Sequence, residues 1–370
     1  MPSTPPVMMR ALAALVRANV PVLIMGNPGQ GKTKKLERIG RAWGRHVETI
    51  SASARETVDF MGLPMEDGGQ VVYSPLSWAV RLADAPSGLL VVDEITTAQS
   101  TFKAFLRILQ ERYVGEFLLP DSVSIIAIGN PPEIAVDGID LPGPVANRFA
   151  HLDWYVDRDE WMTHVGTSFT QVPVHRIDSY LTDGSPADRA RAVALVTGFL
   201  QHRPDLLDAI PDDLVAQSGA WPSERSWANT IDALSFVPPH DEDLRDLLLR
   251  SLVGSGTATE LLAWLAIADL ADPVKVLADP ASVDWSSQRP DRLFGLLNAI
   301  AAVVDLDGTV QRWKQGMAVA TACANGGRPD VALPFARRLA NHRHAQHGLP
   351  GGFKAAFADL FTRTGQLAAV

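Results

Sequence analysis

The sequence predicts an α/β fold over residues 1–156, a parallel sheet layered between helices, and helices alone after that. Three observations predict it. The apolar runs Leu89-Leu90-Val91-Val92 and Ser124-Ile125-Ile126-Ala127-Ile128 each end abruptly in polar residues, as strands buried on both faces of a parallel sheet do. A further apolar run, 21–25, leads into Gly26-Asn27-Pro28-Gly29-Gln30-Gly31-Lys32-Thr33, and a charged helical segment follows. Beyond Asp157 apolar residues recur at helical spacing, with no further buried parallel strand.

A chain of 370 residues makes one large domain or two to three ordinary ones. With 46% hydrophobic and 20% charged residues it can bury a core. A net charge of -9 and a pI near 5.5 argue against a nucleic-acid binder that works through bulk charge. Cys323 is the single cysteine, so no internal disulfide forms, which fits a reducing cytosol. Arg10 and Arg17 interrupt the first apolar stretches, and no uncharged run is long enough to span a bilayer. The expectation is a soluble, cytoplasmic protein without membrane insertion.

Taken in order, 6–19 reads as a helix with Met9, Leu12, Leu15 and Val16 on one face. The glycines of 26–33 let the backbone curl with its N–H groups inward, an anion-binding nest reinforced by the helix N-terminus behind it. Lys32 can reach the β- and γ-phosphates of a nucleotide, and the Thr33 hydroxyl suits Mg²⁺. With Lys34, which opens the charged segment Lys34 to Trp43, these residues are the expected cofactor site. A short strand follows at 46–50. Residues 56–60 start a helix that Pro64 and the Asp67-Gly68-Gly69 turn prevent from continuing, so 61–73 reads as a loop or small hairpin before helical spacing resumes at Trp78.

The strand at 89–92 runs into Asp93 and Glu94, at the sheet end where such folds place ligands. Asp93 would hold Mg²⁺, directly or through water, and Glu94 would orient and deprotonate the attacking water. A helix is expected over 100–112, then a hairpin over 113–123 with Pro120-Asp121 near its turn. Asn130, at the end of the next strand, can hydrogen-bond the γ-phosphate or the water. Arg148 precedes Phe149, which packs inward and fixes the arginine in place. Helices are expected at 186–202, 223–236, 241–253, 257–270, 290–304, 309–324, 329–340 and 353–364, and the loop-rich stretch 166–184 marks a domain join. Ser223 reads as an N-cap, which puts Arg225 in a first helical turn. The histidines at 342, 344 and 347 have loose metal-like spacing but no cysteines or scaffold, and read as solvated. Trp154, Trp161, Trp221 and Trp227 read as core or lid packing.

In that order, the glycine loop, the Asp-Glu strand, the Asn strand, Pro144-Val145-Ala146-Asn147-Arg148-Phe149 and Pro222-Ser223-Glu224-Arg225 resemble an AAA+ ATPase. The interrupted helix before the Asp-Glu strand and the hairpin before the Asn strand are similar to the MoxR branch. The resemblance is strong over 6–153, fades through 234 and is faint beyond. It implies an AAA+ αβα nucleotide-binding core at 1–156, an α-helical lid at 157–240 and a helical C-terminal extension at 241–370. It implies Mg²⁺-dependent ATP hydrolysis in a homo-oligomeric ring, commonly hexameric, that remodels a protein partner, often one with a von Willebrand factor A (VWA) domain. By position, Gly26–Thr33 matches Walker A, Asp93 and Glu94 Walker B, Asn130 sensor 1, Arg148 an arginine finger and Arg225 sensor 2. Thr96 and Asn147 stand where the family usually has Asn and Asp. A nucleotide-gated binding switch and a ring motor on nucleic acid are the alternatives; Glu94 counts against the first, and the acidic balance with no basic aromatic stretch against the second.

Overall fold

A computed structural model describes residues 6–56, 58–97, 101–134, 138–167, 180–267, 271–341, 344 and 351–358. Its strands are β1 (Val22–Met25), β2 (His46–Ser51), β3 (Leu63–Asp67), β4 (Gln70–Ser74), β5 (Gly88–Asp93), β6 (Tyr113–Val114), β7 (Phe117–Leu118), β8 (Val123–Gly129) and β9 (Ala150–Asp153). Five of them form one sheet in the order β2-β5-β8-β1-β9, every neighbouring pair parallel. The chain starts in the interior at β1, so later strands flank it on both sides. That reversal of strand order opens a crevice at the C-terminal ends, where α/β sheets take ligands. The register brings those ends level, with Met25 opposite Gly129 and Ser51 opposite Asp93.

The apolar runs are strands because both of their faces are covered. Leu90, Val92, Ile125 and Ala127 lie in one buried cluster with Phe60, Phe105 and Phe149. Phe149 thus packs inward as expected. The helix after β1 is Lys32–Ala42, capped by Gly31 at φ +70°, so it starts two residues before the expected Lys34. The 61–73 segment is the antiparallel hairpin β3–β4, turning through Gly68 and Gly69 at positive φ. The second hairpin, β6–β7, corrects the sequence reading: it turns at Gly115-Glu116, with Gly115 at φ +63°, and not near Pro120-Asp121. Pro120 instead belongs to the lead into β8, where Arg112 donates to Leu119 O (3.3 Å), Pro120 O (2.6 Å) and Val123 O (2.5 Å). The helix expected from Ser100 is described over Phe102–Glu111; Ser100 lies outside the described residues.

The chain divides into two compact units, one of Met1–Leu181, Ile210–Asn229 and Pro238–Ser255, the other of Thr182–Ala209, Thr230–Val237 and Gly256–Val370. The second is helical. Its buried cluster gathers Leu296, Ile300, Val304, Trp313, Met317 and Leu339. Helices Pro186–His202 and Pro290–Asp307 approach closely because Gly295 has no side chain; a Cβ there would lie 2.7 Å from Ala194 O. Helices Arg158–His164 and Pro273–Ala278 were not legible in the sequence. The helices expected at 257–270 and 353–364 are described as Ser255–Ile267 and Phe353–Ala356, with 268–270 and 359–364 outside the described residues. Trp154, Trp221 and Trp227 are buried, whereas Trp161 is 47% exposed and is not core. Of the histidine-rich stretch only His344 is described, its Nε2 2.8 Å from Gly308 O. Among the described residues no helix is long and apolar enough to cross a membrane, and no cluster of three or more His, Cys, Asp or Glu is placed to hold a metal.

Candidate nucleotide site

The loop 26–31 leaves β1 and turns into the helix Lys32–Ala42 through two glycines of positive φ, Gly29 (+80°) and Gly31 (+70°). Neither has any atom within 4 Å of where a Cβ would stand, so conformation and not crowding requires glycine at both. At Gly26 crowding decides: a Cβ would lie 2.7 Å from Gln30 Oε1 and 2.9 Å from Trp154 Cβ. Trp154 is held there by its N–H on Met25 O (2.6 Å), and Lys35 sits 5.9 Å above its ring.

Lys32 is 6% exposed. Its ammonium donates to Gly26 O (2.5 Å), Asn27 O (2.8 Å) and Asn130 Oδ1 (2.8 Å). The lysine therefore curls back over the loop and meets the end of β8. Burial lowers its pKa from the ordinary lysine value, and the Asp93 charge opposes that shift. Beside it, Thr33 Oγ1 donates to Asp93 Oδ2 at 2.5 Å. A hydroxyl and a carboxylate in contact are hard oxygen donors of the kind Mg²⁺ takes when most of its other ligands are water and phosphate. The residues present fit Mg²⁺ and a polyphosphate, Thr33 and Asp93 for the ion and Lys32 with the loop N–H groups for the phosphates; the expected Lys34 instead points its ammonium at Glu37, 3.1 Å away.

Glu94 is exposed and has φ +58°, a left-handed conformation that is uncommon for a residue with a side chain. Local bonds hold it. Its N–H donates to Asp93 Oδ1 (2.9 Å), and its carbonyl accepts from Thr97 N (3.2 Å) and Thr97 Oγ1 (3.0 Å). Its carboxylate oxygen Oε2 accepts from Ser51 Oγ at 3.0 Å and from Ser53 Oγ. Thr96, where the family resemblance leads one to expect Asn, faces Asn130: its hydroxyl donates to Asn130 O (3.2 Å) and accepts from Asn130 N (3.3 Å). Ser51 and Ser53 were not singled out in the sequence, and Thr96 only as a departure from the family pattern, because their contacts depend on which strand ends the sheet brings level.

The structure thus brings Lys32, Thr33, Asp93, Glu94 and Asn130 together at the ends of β1, β5 and β8. Arg148 and Arg225 form a separate pair. Arg148 is 8% exposed, donates to Pro144 O and leaves its Nε buried without a hydrogen bond. Burial lowers its pKa, and the positive charge of Arg225 lowers it further. Asn147 joins the two: its Nδ2 donates to Trp221 O (3.0 Å) and its Oδ1 accepts from Ser223 Oγ (2.7 Å). Ser223 in turn caps the helix Glu224–Leu234, accepting from Ser226 N at 3.1 Å, with Arg225 exposed in its first turn. An amide at 147 can donate to one partner and accept from the other, which a carboxylate cannot.

A parallel sheet of this order, with a glycine loop after β1 and an acidic pair after β5, defines a P-loop nucleotide-binding core. Compared with known families, residues 21–149 match the AAA domain of the dynein-related subfamily. That stretch holds Gly26 to Lys34, Asp93, Glu94, Asn130 and Arg148; Arg225 lies outside it. That match covers about a third of the chain, the part that holds the phosphate loop and β1, β2, β5 and β8 of the sheet. Midasin of Giardia intestinalis is 28% identical over 186 residues, 46% of this chain but only 4% of that relative's length. The crystal structure of a proposed ATPase from Cytophaga hutchinsonii ATCC 33406 aligns with a TM-score of 0.39 at 16% identity, over 66% of this chain and 80% of that one.

Proposed function

We propose that the chain is a MoxR-like AAA+ ATPase that couples Mg²⁺-dependent ATP hydrolysis, in a cytoplasmic ring of identical subunits, commonly six, to remodelling a protein partner, with a VWA-domain protein as the candidate partner. The observation that carries the hydrolase reading is the hydrogen-bonded convergence of Lys32, Thr33, Asp93 and Asn130 beside Glu94. Lys32 neutralises β/γ-phosphate charge, and Asn130 and Glu94 hold the attacking water, Glu94 taking its proton. Thr33 and Asp93 would hold Mg²⁺, which when bound would supply charge stabilisation on the phosphate oxygens. Arg148 acts on the nucleotide of a neighbouring subunit and must leave Pro144 O to do so, with Arg225 beside it as sensor 2.

The partner surface in this reading is the pair of hairpins. They pack on each other: Gly115 lies against the backbone of Met61, and Tyr73 N donates to Glu116 Oε2 at 3.4 Å. Together they leave Leu63, Met65, Val71 and Leu118 more than half exposed. The lid and extension assigned to 157–240 and 241–370 are part of the same proposal; both compact units draw residues from each of these segments. The test is phosphate release with Mg²⁺ and ATP. Wild type turns over, Lys32→Ala loses nucleotide affinity, and Glu94→Gln keeps affinity but slows by about 10²–10⁴-fold. Turnover by Glu94→Gln at the wild-type rate would mean that Glu94 is not the base.

A further inference from the structure

Two parts of the site are far apart in sequence and are moved by different strands. Glu94 directly follows β5 and Asn130 directly follows β8, and both must face the same water if the hydrolase reading, on which this inference rests, is right. Their register is fixed along the strands by backbone pairing, but β5 pairing with β8 stops at Val92↔Ala127. Beyond that point the ladder no longer holds the two ends together.

One side chain bridges the gap. Thr96 is 1% exposed, and its hydroxyl makes two bonds to the backbone of Asn130, donating to its carbonyl and accepting from its N–H. It continues the ladder with a side chain where the backbone pairing has ended. Its own carbonyl accepts from Ile139 N (3.1 Å), which ties in the chain after β8 as well. Its methyl lies over Gly129, where a Cβ would come within 2.7 Å of it. On the other side, Asn130 Oδ1 takes its bond from Lys32 Nζ. Thr96 lies two residues after Glu94, in the turn whose next residue, Thr97, holds the Glu94 carbonyl.

We propose that Thr96 is a positioning residue that locks Asn130 to the Glu94 end of β5, so that the two groups address one water as a unit. It touches neither nucleotide nor water. The hydroxyl is the working group, since it alone reaches both Asn130 backbone atoms. Serine supplies the same two bonds, whereas valine keeps the shape and supplies neither.

The experiment uses the full chain with Mg²⁺ and ATP, measuring kcat and the Kd for a fluorescent ATP analogue. Thr96→Val should lower kcat by about 10- to 100-fold, the scale of a catalytic group displaced by an ångström, with Kd within about twofold. Thr96→Ser should restore kcat to within about threefold of wild type. A double-mutant cycle with Asn130→Ala separates positioning from mere support. If Thr96 acts by placing Asn130, adding Thr96→Val to Asn130→Ala costs little more. Wild-type kcat in Thr96→Val, failure of serine to rescue, or additive losses in the cycle would each overturn the proposal while hydrolysis by wild type stood. If Thr96→Val does not fold, Thr96→Ser and the cycle built on Thr96→Ala give the same decision. A wild-type chain that does not hydrolyse ATP would instead overturn the hydrolase reading, and this proposal with it.

Discussion

Gly129→Ala adds one methyl group at the meeting point of β1, β5 and β8. Its Cβ would stand 2.7 Å from both Met25 Sδ and Thr96 Cγ2, against the 3.4 Å at which ordinary contact begins, a shortfall of about 0.7 Å on two sides. Met25 can swing its flexible thioether aside. Thr96 cannot give freely, because its hydroxyl bonds to Asn130 already measure 3.2 and 3.3 Å. A further half ångström takes either beyond hydrogen-bond range. Overpacking of this kind costs about 1–3 kcal/mol. At about 2–4 °C per kcal/mol the unfolding midpoint should fall by about 2–12 °C. Hydrolysis should fall by about 10- to 100-fold, since Asn130 moves with Thr96. Differential scanning fluorimetry and steady-state phosphate release read the two effects. Combining Gly129→Ala with Thr96→Ser, which removes Cγ2, should recover part of both losses. An unchanged midpoint and an unchanged rate in Gly129→Ala would refute the packing account.

Three further outcomes are expected. The lowered pKa of Lys32 means that its ammonium deprotonates before an ordinary lysine does, so ATP affinity should fall as pH rises through a range below the ordinary lysine value, as titration with a fluorescent analogue would show; affinity that stays flat up to that value contradicts it. His151 is half-buried, and desolvation pushes its pKa below the ordinary histidine value, with its ring nitrogen 2.9 Å from Ala146 O. The unfolded chain therefore binds this proton first: the contribution is full above about pH 6.5 and is lost as pH falls below it, by up to about 1.4 kcal/mol per pH unit, so denaturant midpoints of His151→Asn should be less acid-sensitive than wild type. Deleting 64–69, the turn and most of β3, should leave nucleotide affinity within about twofold, because the hydrogen bonds of Lys32 and Thr33 described above run to the loop, Asn130 and Asp93 and not to the hairpin, while partner-stimulated turnover falls; equal loss of both would make the hairpin structural.

Which parts of this were legible in the sequence follows from how local their physics is. The phosphate loop needs glycines at fixed short spacing, here 26, 29 and 31, and a lysine at the start of the helix, so eight consecutive residues, 26–33, carry it. The buried strands announce themselves as apolar runs because both faces are covered. Asp93 and Glu94 are legible because they end such a run. Thr96 bonding Asn130, and Ser51 and Ser53 bonding Glu94, depend on groups from neighbouring strand ends, so the sequence marks Thr96 only as a departure from the family pattern and the two serines not at all. Asn147 reads as a departure from a family pattern, yet its reason lies in Trp221 and Ser223, more than seventy residues on. The hairpin turn was misplaced because Pro120-Asp121 is the louder turn signal, whereas the positive φ falls on Gly115. Helix Arg158–His164 was missed because it is short and carries exposed Trp161 and Met162, so no apolar face marks it.

The central claim is that hydrolysis is completed between copies of the chain, with Glu94 from one subunit and Arg148 from the next. Arg148→Ala and Glu94→Gln, each purified alone, should bind ATP and hydrolyse it poorly. An arginine supplied in this way is worth about 10³–10⁵ in rate in related phosphoryl transfers. Mixing the two variants in equal amounts creates interfaces where an intact Glu94 faces an intact Arg148. The account predicts that part of the wild-type rate returns on mixing, and that the returned rate rises with total protein concentration. Subunits that demonstrably exchange while the mixture stays at the rate of the separate variants would contradict it.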